Sequence, residues 1–267
     1  MPVLLSDEEH QFRAAVRRFA EREIAPIVEE CERTRSTPRE LWSRMGELGY
    51  LGVRYPEELG GSGGTVAMAC VLMEELYKVG PGVVGGFEIT VSLGTEPLAS
   101  AGTPQQIDRW LRPALSGEAV AAFGITEPEA GSDAAGIRSK AERVDDGWVL
   151  NGSKTFVSNG GIADYILVTA RTENGVSLFV VERGDEGFTA GEPFEKMGCH
   201  ASNTTPLYFD SCILPEDRLI GHEGRGLEMV FHNLDEGRLI VAAESLGIAK
   251  AAFEQAVAHA KQRKQFG

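Results

Sequence analysis

The sequence predicts an α+β chain built from several domains. Residues 1–118 read as helical, 119–222 as an antiparallel β-domain, and 223–267 as the start of a further helical domain. Three patterns carry this. Apolar residues in the first part recur at helical spacing; from about Ala119, runs of β-branched and aromatic residues alternate with turn formers; after Gly224 and Gly226 a long helical stripe begins.

The elements follow in order. Ser6 with Glu9 makes a capping box, and Phe12, Val16 and Phe19 then recur at i, i+4 and i+7. Pro38 suits the first turn of a second helix that ends near Gly46 to Gly49. Gly60-Gly61-Ser62-Gly63-Gly64 is a loop, followed by a strongly apolar helix from about Val66 to Val79. Thr103 caps another helix, with Pro104 at its first position. In the β-domain, Tyr165 to Ala170, Ser177 to Val181 and Pro206 to Asp210 read as strands. Asp145-Asp146-Gly147 and Asn174-Gly175 mark hairpin turns. The last helix, from about 226 to 262, would be roughly 55 Å long. Its later part sets Ala249, Ala252, Phe253, Ala256, Val257 and Ala260 on one stripe. Such a stripe needs partner helices, so 223–267 reads as the first piece of a bundle completed elsewhere.

Bulk properties narrow the function. At 267 residues with 42% hydrophobic content the chain can build real cores. A formal charge of −14 argues against nucleic acid, which needs a basic surface, but leaves a polyanionic cofactor open. Cys31, Cys70, Cys199 and Cys212 are widely spaced and read as reduced thiols of a cytoplasmic protein. The five histidines show no ligand spacing, so no metal is expected. There is no signal peptide, and the longest apolar run, Val66 to Met73, is too short to span a bilayer. Neither G-x-G-x-x-G after a strand nor a phosphate-binding G-x-x-x-x-G-K-[ST] loop occurs, which excludes a Rossmann-type dinucleotide site.

Three separated motifs remain: Ile125-Thr126-Glu127-Pro128-Glu129-Ala130-Gly131-Ser132-Asp133, Asn151-Gly152-Ser153-Lys154, and Arg263-Lys264-Gln265-Phe266-Gly267. By its residues alone the first is an ordinary polar β-turn. Together, in this order, the three resemble the acyl-CoA dehydrogenase family. The resemblance implies a barrel-like middle domain, bound FAD and an acyl-CoA substrate. It further implies electron-transferring flavoprotein as acceptor, and a homotetramer or homodimer.

The resemblance also implies roles. Phe123, Ile125, Thr126 and Ser132 would line the flavin, with Thr126 at the pyrimidine end of the ring, where donors stabilise the negative charge that hydride brings. Ser132 would also touch the thioester ligand. Phe156, Val157 and Ser158 fall where the family shows Trp-Ile-Thr or Trp-Ile-Ser. Phe156 keeps a π-face but loses the indole N–H, and Ser158 would sit near the hydride-accepting atom. Asp235 and Arg238, at i and i+3 on the last helix, would line the acyl-CoA pocket, although the residues alone read as a surface ion pair. Arg263, Gln265 and Phe266 would reach a neighbouring subunit's FAD, Arg263 suiting the pyrophosphate, although the residues alone read as a solvated basic tail.

The implied reaction removes the α-proton with a carboxylate while hydride leaves the β-carbon, giving the 2,3-enoyl-CoA. The family carries this base either downstream of the Arg-x-x-Phe-Gly motif or just before the pocket arginine. The latter position here is Gly237, so the base is expected downstream of Gly267 and the fragment is expected to be inactive alone. The rival readings are a non-catalytic flavin- or acyl-CoA-binding subunit that needs a partner chain, and an acyl-CoA oxidase of the same fold.

Overall fold

Local signals set most helix boundaries. The computed structural model describes residues 5–266. In α1 (Asp7–Phe19), Ser6 Oγ accepts from the Glu9 N–H at 3.2 Å, and the Glu9 carboxylate accepts from the Ser6 N–H at 2.8 Å. A π-turn and a 3-10 turn lead into α2 (Val28–Thr34), which ends at Arg35 in the left-handed region. The helix expected near Pro38 is α3 (Glu40–Glu47), with Pro38 in the turn before it, its carbonyl accepting from the Leu41 N–H.

The two helices that follow are apolar on almost every side because they are covered on every side. Thr65 caps α4 (Val66–Tyr77) by accepting from the Met68 N–H, and α4 packs against α1 and the last helix. Behind it, α5 (Pro81–Val91) lies between the helical part and the sheet. There follow α6 (Glu96–Ala101), α7 (Pro104–Gln106), started by a Thr103–Gln106 capping box, a π-turn, and α8 (Arg112–Ser116).

The strands are β1 (Ala121–Gly124), β2 (Lys140–Val144), β3 (Gly147–Ser158), β4 (Tyr165–Thr172), β5 (Gly175–Glu182), β6 (Phe188–Ala190), β7 (Thr204–Pro215) and β8 (Leu219–Ile220). They form one sheet in the order β6-β7-β3-β2-β4-β5-β8, with β1 alongside β4. Both expected hairpins form. In the second, Thr172 pairs with Gly175, so the turn residues are Glu173 and Asn174, and Gly175 opens the strand with φ 129°. The Pro206–Asp210 strand is longer than expected, because β7 pairs along nearly all of β3 across two bulges.

Most pairings are antiparallel. The exceptions are β1 on β4 and a single contact of β2 on β4. β1 arrives from the helical part rather than from a hairpin, so its direction is not tied to its neighbour's. Trp148 on β3 and Phe179 on β5 are separated by two strands in the sheet, yet their rings meet at 5.2 Å. The sheet therefore curls on itself. Alternate residues of β4 face different cores: Ile166, Val168 and Ala170 join Trp148 and Phe179, whereas Tyr165 and Leu167 join Trp110, Leu111 and Val230.

The last helix, α9 (Gly226–Gln262), has 37 residues. It buries Val230, Asn233, Gly237, Ile240, Glu244 and Gly247, a 3-4-3-4-3 spacing that keeps one face inward. A Cβ on Gly247 would stand 2.3 Å from the Glu74 carbonyl oxygen, so glycine permits the close crossing with α4. The stripe from Ala249 to Ala260 is on the open side. Val257 is half-buried, the others are exposed, and Phe253 is 70% exposed. Among the described residues no helix is long and apolar enough to cross a membrane.

Candidate functional site

The 125–133 motif is a loop held by one buried ion pair. β1 ends at Gly124, where a Cβ would come within 3.3 Å of Lys154 Cγ, so the strand passes close over β3. The chain then runs beside β3, the Thr155 N–H donating to the Thr126 carbonyl at 2.9 Å. Glu127 and Ala130 close a tight turn through reciprocal backbone bonds. The Glu127 carboxylate points inward and accepts from Lys154 Nζ at 2.8 Å and from the N–H groups of Arg138 and Ser139 at 2.6 and 3.0 Å. Lys154 also donates to the Ile125 carbonyl and to Thr169 Oγ1.

Lys154 is 0% exposed, so every donor it has must be used inside the protein. Burial lowers its pKa to about 8 against the pull of Glu127. Burial pushes Glu127 the other way, but the bonds from Lys154, Arg138 and Ser139 outweigh it and hold the carboxyl below its ordinary value. The pair thus ties the start of the loop at Ile125, its turn at Glu127 and its exit at Ser139 to one strand. The sequence reading placed Lys154 in a motif but gave it no task; nothing local marks it as buried.

Phe156 sits in a bulge of β3 with φ 57°, a costly conformation for an aromatic residue. The bulge turns its ring outward, 67% exposed, while Thr155 and Val157 on either side stay buried. Its only ring neighbour among the described residues is Phe194, at 5.3 Å. Phe123 is buried at the end of β1, Ile125, Thr126 and Ser158 are half-buried, and Ser132 is exposed beside Gly131. A Cβ on Gly131 would meet open space.

The fold thus brings 123–126 and 156–158 side by side. The hydroxyls of Thr126, Ser132 and Ser158 have no side-chain hydrogen bond among the described residues, and the outward ring of Phe156 belongs to the strand segment beside Thr126 and Ser158. A flat heteroaromatic ring with acceptors along one edge suits this set, so the residues fit a flavin.

On α9, Leu234 packs against the same core cluster as Leu93 and Ile125, the one that contains Phe123. A pocket of about 200 Å³ opens between α5 and α9, lined by Glu88, Leu93, Leu234, Gly237, Arg238 and Val241. Arg238 reaches this pocket. Asp235 is exposed and pairs with Arg238 at 2.5 Å. Arg263, Gln265 and Phe266 lie beyond the far end of α9, about 40 Å of helix from Asp235, and all are exposed. Within one chain the fold does not bring them to the loop. Gly267 lies outside the described residues.

Glu88 was not singled out by the sequence reading. It is 7% exposed, accepts from Ser92 Oγ at 2.9 Å, and burial lifts its pKa to about 7. Glu244, at 8% exposure, is lifted to about 8 by burial and by Glu88. Burial also raises Tyr77, which stands beside Glu244.

Comparison with known proteins bears on the family and the fold. Three family models match: the acyl-CoA dehydrogenase N-terminal domain over residues 6–118, the middle domain over 122–212, and the C-terminal domain over 224–267. The chain is 40% identical over 272 residues to a short-chain-specific acyl-CoA dehydrogenase of Clostridium acetobutylicum, covering 98% of this chain and 71% of that protein. Butyryl-CoA dehydrogenase from Megasphaera elsdenii superposes with a TM-score of 0.94 at 39% identity, covering 100% of this chain and 72% of that one. A chain from a structure of the electron-transferring flavoprotein of Acidaminococcus fermentans gives 0.96 at 40% identity, again covering 100% and 72%.

Proposed function

As the chain belongs to the acyl-CoA dehydrogenase family, a family of FAD-dependent enzymes that oxidise acyl-CoA thioesters, we propose how its own residues divide that work. The 125–132 loop and the Phe156 bulge hold the flavin. The α5–α9 pocket holds the acyl chain. When bound, FAD supplies the acceptor for the hydride that leaves the β-carbon. The observation that carries this reading is that Thr126 and Ser158, without side-chain partners among the described residues, lie on the paired segments that flank the outward ring of Phe156.

Each residue then has a physical task. Thr126 and Ser158 hydrogen-bond the polar edge of the ring and stabilise charge that develops there. Ser132, at the exposed tip, meets both ring and thioester. Phe156 covers one ring face and keeps water from it. Leu234 and Leu93 exclude water from the reacting carbons, and Arg238 stands at the pocket wall, where it can reach the ligand. Gly237 supplies volume but no carboxylate, so it removes no α-proton.

Arg263, Gln265 and Phe266 are proposed to complete the FAD site of a second copy in a homodimer or homotetramer. Their separation from the loop of their own chain and the open face of α9 support this. Electron-transferring flavoprotein is the proposed acceptor, supported by the likeness to the Acidaminococcus fermentans chain.

The test is to take the protein together with the downstream segment expected to carry the base, load it with FAD and mix it anaerobically with butyryl-CoA. Bleaching of the flavin absorbance is expected. Flavin that stays oxidised while butyryl-CoA binds would replace this reading with that of a non-catalytic binding subunit, and fast reoxidation by dioxygen would make the protein an oxidase.

A further inference from the structure

One buried amide beside the proposed flavin strand joins backbone from separate parts of the chain. β3 ends at Ser158, and Asn159 follows it with φ 62°, in the left-handed region that asparagine tolerates better than most residues. Asn159 is 1% exposed. Its amide nitrogen donates to the Gly86 carbonyl of α5 at 2.8 Å and to the Ala121 carbonyl of β1 at 2.9 Å. Its backbone N–H donates to the Asn203 carbonyl at 2.7 Å, and its own carbonyl accepts from Ile162 and Ala163.

Each tie leads to a part of the proposed site. Gly86 stands two residues before Glu88, which lines the α5–α9 pocket. Ala121 opens the strand that runs into Ile125 and Thr126. Asn203 also fixes the turn after Asn159, its Oδ1 accepting from the Gly161 N–H at 2.7 Å. A Cβ on Gly86 would lie 2.5 Å from Asn159 Oδ1, so glycine is what lets the amide reach the α5 backbone. Oδ1 itself has no hydrogen-bond partner among the described residues, so the amide acts through its donors alone. Glycine would take the same backbone but bring no amide, and aspartate would bring two acceptors and no donor.

Building on the proposed function, we propose that Asn159 is a positioning residue for the oxidation: its amide holds Ser158 in a fixed place relative to α5, so that the Ser158 hydroxyl meets the polar edge of the flavin while the acyl chain lies against that helix. Asn159 touches neither ligand. Its effect is geometric. A misplacement of about 1 Å between reacting groups costs on the order of a hundredfold in rate. The surfaces that bind FAD and the thioester belong to other residues and stay in place. Losing the amide should therefore slow the reaction without weakening either ligand.

The experiment takes the protein together with the downstream segment expected to carry the base, loads it with FAD and mixes it anaerobically with butyryl-CoA in a stopped-flow spectrometer. Asn159→Gly keeps the left-handed backbone and removes the amide. It should slow flavin reduction at saturating thioester by about ten- to a hundredfold. The Kd values of butyryl-CoA and FAD should stay within about twofold of those of the unsubstituted protein. Ser158→Ala is the companion variant. Because Asn159 acts through Ser158, the double variant Asn159→Gly/Ser158→Ala should be no more than about twofold slower than the slower single variant. A further readout needs no flavin. In the FAD-free protein, amide hydrogen exchange over 157–163 should rise in Asn159→Gly and stay unchanged in Ser158→Ala.

Gly86→Ala decides the matter should the glycine variant unfold. Its methyl presses on Oδ1 from α5 and leaves residue 159 as it is, and it should slow reduction by the same route. Reduction at the unsubstituted rate in either folded variant would overturn the proposal. So would rate losses that multiply in the double variant, a rise in Kd as large as the fall in rate, or unchanged hydrogen exchange. Flavin that stays oxidised in the unsubstituted protein would instead overturn the functional reading, and the proposal with it.

Discussion

Two buried acidic sites, one against the sheet and one between α5 and α9, differ in one respect. On the sheet side, Glu127 meets Lys154 and two backbone N–H groups, and every oxygen has a donor. On the helix side, Glu88 and Glu244 stand near each other with a serine and a tyrosine, and neither takes part in an ion pair among the described residues. The first arrangement fixes a loop; the second leaves hydrogen-bonding capacity unspent beside a pocket. A buried carboxyl that is fully partnered organises the chain around itself, whereas one that is not keeps its proton to higher pH.

Breaking the partnered site should have the largest effect. Lys154→Met leaves the Glu127 carboxylate buried without its cation, which should cost about 3–5 kcal/mol of stability and release the 125–139 loop. Urea unfolding and flavin retention after gel filtration would measure it. A loss under about 1 kcal/mol with flavin retained would show that the backbone N–H groups alone hold Glu127.

The unpartnered site predicts a pH dependence of the opposite sense. Glu88 at about 7 and Glu244 at about 8 lie above the ordinary value of 4.5, so the folded chain keeps protons that the unfolded chain would release. Their contribution is complete below about pH 4.5 and is lost as pH rises through 7 and 8. Glu127, held low, contributes instead at higher pH and fails only as pH falls through its own depressed pKa. The double variant Glu88→Gln/Glu244→Gln should therefore flatten a decline of roughly 1–3 kcal/mol between pH 5 and pH 8. An unchanged slope in denaturant titrations across that range would place the titrating groups elsewhere.

A third carboxyl can be added to the same pocket. A Cβ at Gly237 would meet only Leu93 Cδ2, at 3.3 Å, the end of a flexible side chain. Gly237→Glu is thus expected to fold and to speed α-proton exchange of a bound acyl-CoA by about ten- to a hundredfold, since its reach and pKa are untuned. Proton NMR in deuterium oxide reads the exchange. No acceleration, with binding intact, would mean that Gly237 does not face the α-carbon.

The smallest effect separates the loop from the aromatic face. Phe156→Gly removes a ring that is already exposed and relieves a left-handed backbone, so stability should hold or rise by up to about 1 kcal/mol. FAD affinity should fall by about three- to tenfold, measured by flavin fluorescence. If affinity were unchanged, the loop hydroxyls rather than the ring would carry the contact.

What the sequence determined by itself is what depends on near neighbours. The Ser6–Glu9 capping box, the Thr103 cap, both hairpins and the span of α9 are set by residues within a few positions of one another, and each was legible. The three motifs were legible too, because their residue types survive in the linear order. Tertiary structure decided which side of an element is inside. Hydrophobicity marks Ala249 to Ala260 on α9, yet that stripe is open, and the inward face carries Asn233, Glu244 and two glycines. The reason is that α9 meets α4 almost backbone to backbone at Gly247, and small size counts there for more than apolar area. Lys154 and Glu88 look like surface charges in the chain order. One is buried because a loop folds back to supply its partner from 27 positions away, the other because α9 closes over α5. No local pattern encodes either event, since both depend on segments far apart in sequence arriving at one place.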